Sequence, residues 1–122
     1  VSDLMSFPVT TVSPTATLRE TAMLLREKGY SGFPVAENEK LVGVISRRDF
    51  RKMRGEKQLE LPVKAFMGTR IKTISPGKSP ADAARMMVKH DIGRLPVVES
   101  GKIIGIMTRS DVMLYFYDLV PD

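Results

Sequence analysis

The chain has 122 residues, of which 43% are hydrophobic and 27% are charged, which is typical of a folded domain and excludes a disordered tail. The absence of cysteine excludes disulfides and thiolate metal sites and suits a cytoplasmic protein, and no apolar run approaches the ~20 residues that span a membrane. The formal net charge of +5 favours anionic partners. Because the chain begins with Val1, we expect a piece of a longer polypeptide.

The first half of the chain predicts a strand, a helix, two strands and a final helix. A β-branched strand at Val9–Val12 ends at a Ser-Pro turn, and Thr17 has the chemistry of a helix N-cap. Apolar residues at helical spacing follow until Gly29 ends the helix. The remaining strands are predicted at Phe33–Ala36 and Leu41–Ile45, and the last helix from Ser46 to about Arg54.

The same succession recurs 62 residues later without a gap. The predicted elements of this copy are strand Ile71–Ile74, helix Pro80–His90, strands Leu95–Glu99 and Lys102–Met107, and a helix from Thr108. The chain is therefore predicted to be an α+β protein of two βαββα units, residues 1–54 and 66–122, with a linker at 55–65. Because about 50 residues enclose too little interior to be stable alone, we expect the units to pack about a pseudo-twofold axis.

Catalytic chemistry has little support in the sequence. The single histidine, His90, lies at a predicted helix end, where the first copy has Lys28. A catalytic nucleophile needs a base beside it, and the sequence has no second histidine for this role. A metal site needs several ligands close together, and the sequence shows no such cluster of histidine or carboxylate residues. Gly77-Lys78-Ser79 suggests a phosphate-binding P-loop, but the glycine that this motif needs five positions earlier is Lys72. We therefore predict that the chain is not an enzyme and holds no metal or catalytic cofactor.

The informative pattern is a hydroxyl residue followed three positions later by an aspartate, at Ser46/Asp49 and again at Thr108/Asp111. A capping box at the start of a helix explains both pairs. The alternative is a nucleotide site, in which the helix N–H groups bind an anion and the aspartate accepts hydrogen bonds from ribose hydroxyls. The pattern by itself leaves both interpretations open.

Together with Gly29–Val35 and Asp91–Val97, these pairs resemble the tandem CBS domain, a regulatory module that commonly binds adenine nucleotides. The resemblance covers about Asp3–Tyr115. It implies βαββα units that pair through their sheets and pairs that often dimerise. It also implies AMP, ADP, ATP or S-adenosylmethionine as a ligand, and a neighbouring domain that the module regulates.

The resemblance further implies how two sites are assembled, with the aspartate of one copy facing the strand of the other copy that precedes the proline. Backbone groups would bind adenine, apolar side chains would sandwich its ring, and the aspartate would bind ribose. One site combines Thr108 and Asp111 with Tyr30, Ser31, Gly32, Phe33 and Pro34, and the other combines Ser46 and Asp49 with Ile92, Gly93, Arg94, Leu95 and Pro96. Arg94 would contact phosphate, and Arg48 would reach the phosphates of the site that contains Gly32 instead of an arginine.

The C-terminal run from Thr108 to Asp122 is similar to the end of the CBS pair within poly(A) polymerase and tRNA CCA-adding nucleotidyltransferases. This similarity implies a neighbouring catalytic domain that acts in RNA processing. The apolar stretch Val112–Leu119 also predicts a helix packed on a partner, so we expect a homodimer. Two alternatives stay open: a ligand-free dimerisation module, and an accessory domain whose basic run Arg47–Lys57 contacts RNA phosphates, although no motif indicates RNA.

Overall fold

The computed structural model describes Val1, Met5 and residues 9–120. It divides into two compact units, which we call the first repeat (Thr10–Ile71) and the second repeat (Lys72–Asp122 together with Val1–Val9). The predicted outer boundaries at residues 1 and 122 and the start of the resemblance at Asp3 include residues 2–4, 6–8 and 121–122, which lie outside the described residues.

Each repeat contains a helix, a two-stranded hairpin and a final helix, which confirms the predicted α+β class. The first repeat contains α1 (Leu18–Lys28), β1 (Gly32–Glu37), β2 (Lys40–Ser46) and α2 (Arg47–Phe50). The second repeat contains α3 (Pro80–His90), β3 (Arg94–Glu99), β4 (Lys102–Thr108) and α4 (Arg109–Asp118).

Local signals in the sequence set the ends of the first helix of each repeat. The Thr17 hydroxyl accepts the N–H of Glu20 at 3.1 Å, and Gly29 ends α1 in the left-handed region with φ of 68°. At the start of α3, Ser79 and Asp82 form a reciprocal capping box. The cap predicted at Thr17 is thereby confirmed, and α3 begins at a cap of the same kind.

The two hairpins have the same antiparallel register. The pair Gly32/Ser46 in the first repeat corresponds to Arg94/Thr108 in the second. Their tight turns have positive φ at both central residues, as type I′ turns require, at Asn38/Glu39 and Ser100/Gly101. The hairpins therefore bring the strand before each proline next to the hydroxyl residue that starts the following helix.

The strands predicted at Val9–Val12 and Ile71–Ile74 are shorter than expected. Only Val12 and Ile74 pair, as isolated parallel bridges to Val35 in β1 and Val97 in β3. The residues that precede each bridge in the two predicted strands have no regular secondary structure.

Prolines explain why each of these ladders contains a single bridge. The N–H of Val12 donates to the Pro34 carbonyl at 3.1 Å, and its carbonyl accepts the N–H of Ala36 at 3.0 Å. Extending the ladder would require an N–H from Pro34 in one direction and from Pro14 in the other, and proline has none. The bridge of Ile74 is flanked in the same way by Pro96 and Pro76.

The final helix of the first repeat ends at Phe50, whereas the sequence predicted that it would reach about Arg54. A longer helix would place Arg47 above Arg51 and Arg48 above Lys52, and like charges at this spacing destabilise a helix. The helix α4 carries no such pairs and continues to Asp118.

Each repeat has its own apolar core, built on α1 and the first hairpin or on α3 and the second hairpin. Residues 55–65, predicted as a linker, form the short 3-10 helices Glu56–Glu60 and Val63–Ala65. Val63 is completely buried in the first core, and its N–H donates to the Ala16 carbonyl at 2.8 Å. The connecting segment is therefore part of the first repeat.

The capping box of α3 gives a pH-dependent prediction. The Arg85 side chain donates to Asp82 at 2.6 Å and the Ser79 N–H at 3.1 Å, which lowers the pKa of Asp82 from 3.8 to about 2. The ionised Asp82 carboxylate therefore stabilises the folded state at pH values above the pKa that this group has in the unfolded chain. The contribution is lost as the pH falls through its pKa in the folded chain. We expect Asp82→Asn to be less stable than the parent chain at pH 7, and the difference to shrink as the pH approaches 2.

Denaturant unfolding followed by circular dichroism across this pH range measures the difference. A stability difference that is the same at pH 7 and near pH 2 would contradict a role for the ionised carboxylate.

Candidate functional site

Both hydroxyl–aspartate pairs lie where the second strand of a hairpin passes into the following helix. The N–H of Ser46 donates to Asp49 Oδ2 at 2.9 Å, and the N–H of Thr108 donates to Asp111 Oδ2 at 2.8 Å. In return, the N–H of Asp111 donates to the Thr108 hydroxyl at 3.2 Å. The capping interpretation is therefore confirmed for both pairs, and the backbone cap uses Oδ2 of each carboxylate.

The two aspartates differ in how much of the carboxylate faces solvent. Asp49 is only 9% exposed, and its Oδ1 forms an ion pair with Lys52 at 3.2 Å. Asp111 is more accessible, and within the described part of the chain no ion pair involves it. The carboxylate of the second repeat is therefore the better placed of the two for contact with a ligand.

Within each repeat, the segment before the proline lies beside the hydroxyl residue of the same repeat. Arg94 is paired with Thr108 across the hairpin, and the N–H of Arg109 donates to the Gly93 carbonyl at 2.8 Å. In the first repeat Gly32 is paired with Ser46, and the N–H of Arg47 donates to the Ser31 carbonyl at 2.9 Å. The crosswise combination that the resemblance implies stays a prediction.

Several predicted site residues have side chains that belong to the apolar cores. Leu95 and Phe33 are 0% and 2% exposed, and Pro34 and Pro96 are also buried. Their side chains pack inside the repeats, and their place in a nucleotide site stays a prediction. Partly buried Tyr30, whose ring centroid lies 5.5 Å from that of Phe33, and partly buried Ile92 are better placed to contact an adenine ring.

Steric crowding explains why residue 32 is a glycine. A Cβ atom at this position would lie 2.7 Å from the Ile45 carbonyl oxygen, which belongs to the backbone and cannot move aside without a shift of β2. The first repeat therefore excludes a counterpart of Arg94 as its backbone stands. Its nearby cations are Arg47 and Arg48, which are exposed on α2.

A second feature of the second repeat was not predicted from the sequence. A cleft of about 300 Å³ lies against α3, lined by Thr73, Ile74, Ser75, Lys78, Asp82, Arg85 and Met86. It does not include Thr108 or Asp111.

Among the described residues, no group of three or more histidine, aspartate or glutamate side chains is arranged to hold a metal ion, and no helix is long and apolar enough to cross a membrane.

Comparison with known proteins decides the family. The family described as CBS domain matches residues 1–56 and 63–118. The chain belongs to the CBS domain family. The resemblance inferred from the duplicated motifs is thereby confirmed over nearly the whole length of this CBS pair.

Three curated relatives show the contexts in which similar CBS pairs occur. The protein MJ1232 of Methanocaldococcus jannaschii is 41% identical over 123 residues, which is 100% of this chain and 41% of that protein. The CBS domain-containing protein YhcV of Bacillus subtilis is 33% identical over 92% of this chain and 81% of its own length. The A-adding tRNA nucleotidyltransferase of Geobacter sulfurreducens is 32% identical over 95% of this chain, and the match spans 13% of that enzyme.

A solved structure gives a closer view of the CBS fold. The crystal structure of CBSX2 in complex with AMP superposes with a TM-score of 0.85 at 30% sequence identity, covering 98% of this chain and 96% of CBSX2. The likeness extends over both repeats, so the element order described above is that of a solved CBS pair.

Proposed function

We propose that this CBS pair is a regulatory module that binds an adenine nucleotide and has no catalytic role of its own. The observation that carries the proposal is the Asp111 carboxylate, which is partly exposed at the start of α4 while its Oδ2 accepts the Thr108 N–H. The complex of CBSX2 with AMP supports the proposal, because that protein is 30% identical over nearly the full length of this chain.

Each part of the nucleotide has a proposed partner. The charged Asp111 carboxylate accepts hydrogen bonds from the ribose hydroxyls, and such charge-assisted bonds are stronger than neutral ones. At this site, backbone groups of Tyr30–Gly32 bind the adenine edge and the Arg48 guanidinium contacts phosphate. At the site that contains Asp49, backbone groups of Ile92–Arg94 and the Arg94 guanidinium have these roles. The site built on Ser46 and Asp49 binds more weakly, because Asp49 is nearly buried and already paired with Lys52.

Calorimetric titration of the 122-residue chain with AMP, ADP, ATP and S-adenosylmethionine tests this function. We expect binding heat with at least one of the four and a rise in the melting temperature, because a ligand that binds only the folded state stabilises it. If none of the four gives heat or a thermal shift, the proposal fails and the ligand-free dimerisation module becomes the better interpretation.

We also propose that the module regulates a neighbouring catalytic domain in a longer protein, such as an RNA nucleotidyltransferase. The match within the tRNA nucleotidyltransferase of Geobacter sulfurreducens supports this context, whereas YhcV is matched over 81% of its length. Sequencing of the gene decides between a CBS pair inside a larger enzyme and a CBS pair that makes up most of its protein.

The exposed apolar side chains of α4 lead us to propose a homodimer. Met113, Leu114 and Tyr117 are 65%, 62% and 75% exposed, and a patch of this kind is typical of an interface. We expect a dimer in sedimentation equilibrium across a wide range of concentrations, and a monomer after Leu114→Lys and Tyr117→Lys are combined. Val88→Lys is the matched control, because Val88 is exposed on α3. A parent chain that stays monomeric at every concentration would contradict the dimer.

A further inference from the structure

The segment from Arg47 to Lys57, here called the basic segment, has a surface that is almost entirely cationic. Its six cations are all exposed: Arg47, Arg48, Arg51, Lys52, Arg54 and Lys57. Of its two acids, Asp49 is 9% exposed and is paired with Ser46 and Lys52, which leaves Glu56 facing solvent. Within the described residues, the pair of Lys52 with Asp49 is the one ion pair that this segment forms.

The second repeat has no cations at the positions of its sequence that match the last four cations of the basic segment, where helix α4 continues beyond the point at which α2 ends. The residues 62 positions later are also exposed but apolar, so that Met113, Leu114, Phe116 and Leu119 replace Arg51, Lys52, Arg54 and Lys57. These side chains are exposed in both repeats, so packing on a core does not explain the cations of the first repeat, and of the four only Lys52 has an ion-pair partner among the described residues. The cations therefore point to a partner that meets the first repeat alone.

The composition of this surface indicates the kind of partner. The apolar residues of the basic segment, Phe50 and Met53, pack on the first core and leave charged side chains and Gly55 at the surface. Protein interfaces have an apolar centre, and stable membrane docking requires an inserted apolar group, so neither fits a surface with six exposed cations and no exposed apolar side chain. Arginine guanidinium groups match phosphate oxygens with two parallel hydrogen bonds.

We propose that Arg51, Lys52, Arg54 and Lys57 bind the phosphate backbone of a nucleic acid, at a surface separate from the nucleotide site. Because no aromatic side chain is exposed between these cations, bases are neither stacked nor read, and binding is independent of sequence. This inference does not depend on nucleotide binding by Asp111.

Repulsion within the segment gives the proposal a second readout. Arg47 and Arg51, like Arg48 and Lys52, carry equal charges four residues apart next to the short helix α2. A polyanion that neutralises them removes this repulsion. We therefore expect nucleic acid to raise the melting temperature of the parent chain.

The test is fluorescence anisotropy of a labelled single-stranded RNA of mixed sequence, titrated with the 122-residue chain at several salt concentrations. Neutralising about four phosphates on a single strand gives a slope of roughly −3 in log affinity against log salt, so affinity falls roughly 50-fold between ~50 and ~200 mM salt. A DNA strand of the same length is expected to bind similarly.

Two variants with the same net charge show whether binding depends on the basic segment or only on the net charge of the chain. The patch variant combines Arg51→Gln, Lys52→Gln, Arg54→Gln and Lys57→Gln, and the control variant combines Arg26→Gln, Lys28→Gln, Lys40→Gln and Lys89→Gln at exposed positions elsewhere. We expect the patch variant to lose affinity by roughly tenfold or more at low salt and its salt slope to approach zero. The control variant should keep most of its affinity for RNA and most of its salt slope.

Equal losses in the two variants would overturn the proposal, because net charge alone would then explain binding. Competition by poly-glutamate as strong as that by RNA, or equal affinity for vesicles of anionic lipid, would also overturn it by showing no preference for phosphate backbone. Both variants keep Asp111 and Arg48, so AMP binding at the site that contains Asp111 should match that of the parent chain. Loss of RNA binding with AMP binding intact, or the reverse, shows which of the two proposals has failed.

Discussion

Replacing Asp111 with asparagine is expected to weaken adenine nucleotide binding by roughly tenfold to a hundredfold, because a hydrogen bond to a charged group is worth about 1.5–3 kcal/mol. The asparagine side chain keeps an oxygen that can accept the Thr108 N–H, so the cap of α4 is retained while the charge is lost. Calorimetric titration with AMP, ADP and ATP measures the loss, and circular dichroism confirms that the variant is folded.

The chain contains a matched control for this change. Asp82 occupies the same place in the capping box of Ser79 at the start of α3, outside the proposed site. We expect Asp82→Asn to leave nucleotide affinity unchanged. Arg94→Ala should weaken binding at the site that contains Asp49 more than at the site that contains Asp111, and should weaken ATP more than adenosine because its guanidinium is proposed to contact phosphate. If Asp111→Asn alters stability alone and leaves affinity as it was, Asp111 is a cap and the nucleotide site lies elsewhere.

A large loss of stability is expected when Leu95 is replaced with alanine. Its side chain is completely buried, so Leu95→Ala should lower the free energy of unfolding by about 2–5 kcal/mol, through lost apolar contact and the cavity left behind. Leu18→Ala is the matched variant in the first core, because Leu18 is equally buried and was never a candidate for ligand contact. Denaturant unfolding of both variants gives the comparison.

Leu95→Met keeps the volume of the side chain and costs less than about 1.5 kcal/mol, so it stays folded if the alanine variant does not. We expect the folded fraction of each variant to bind nucleotide as the parent does. A clear loss of affinity in Leu95→Met at unchanged stability would place this side chain in the site, as the resemblance to CBS domains implies.

Features of the fold that depend on neighbouring residues were predictable from the sequence. The caps at Thr17 and Ser79, the stop at Gly29 and the order of elements in both repeats follow from local hydrogen bonding and from φ preferences. The capping boxes at Asp49 and Asp111 were predicted on the same basis.

Features that depend on distant residues were missed. Val63 lies in a segment whose charged composition predicts a linker, and only its contact with the first core reveals why it is buried. The burial of Leu95 and Phe33 likewise depends on the helices that cover the hairpins, and their role in a nucleotide site, which the resemblance implies, stays a prediction. The early end of α2, by contrast, has a local cause, because like charges four residues apart disfavour a longer helix.

The prolines that limit the bridges of Val12 and Ile74 also protect the molecule from self-association through its backbone. An unpaired strand edge offers a row of N–H and C=O groups on which a strand of another molecule can assemble. On the side of β1 that meets Val12, Pro34 interrupts the row of donors, and Pro96 does the same for β3. An incoming strand would find only a broken ladder there, which disfavours the sheet extension that begins amyloid-like aggregation.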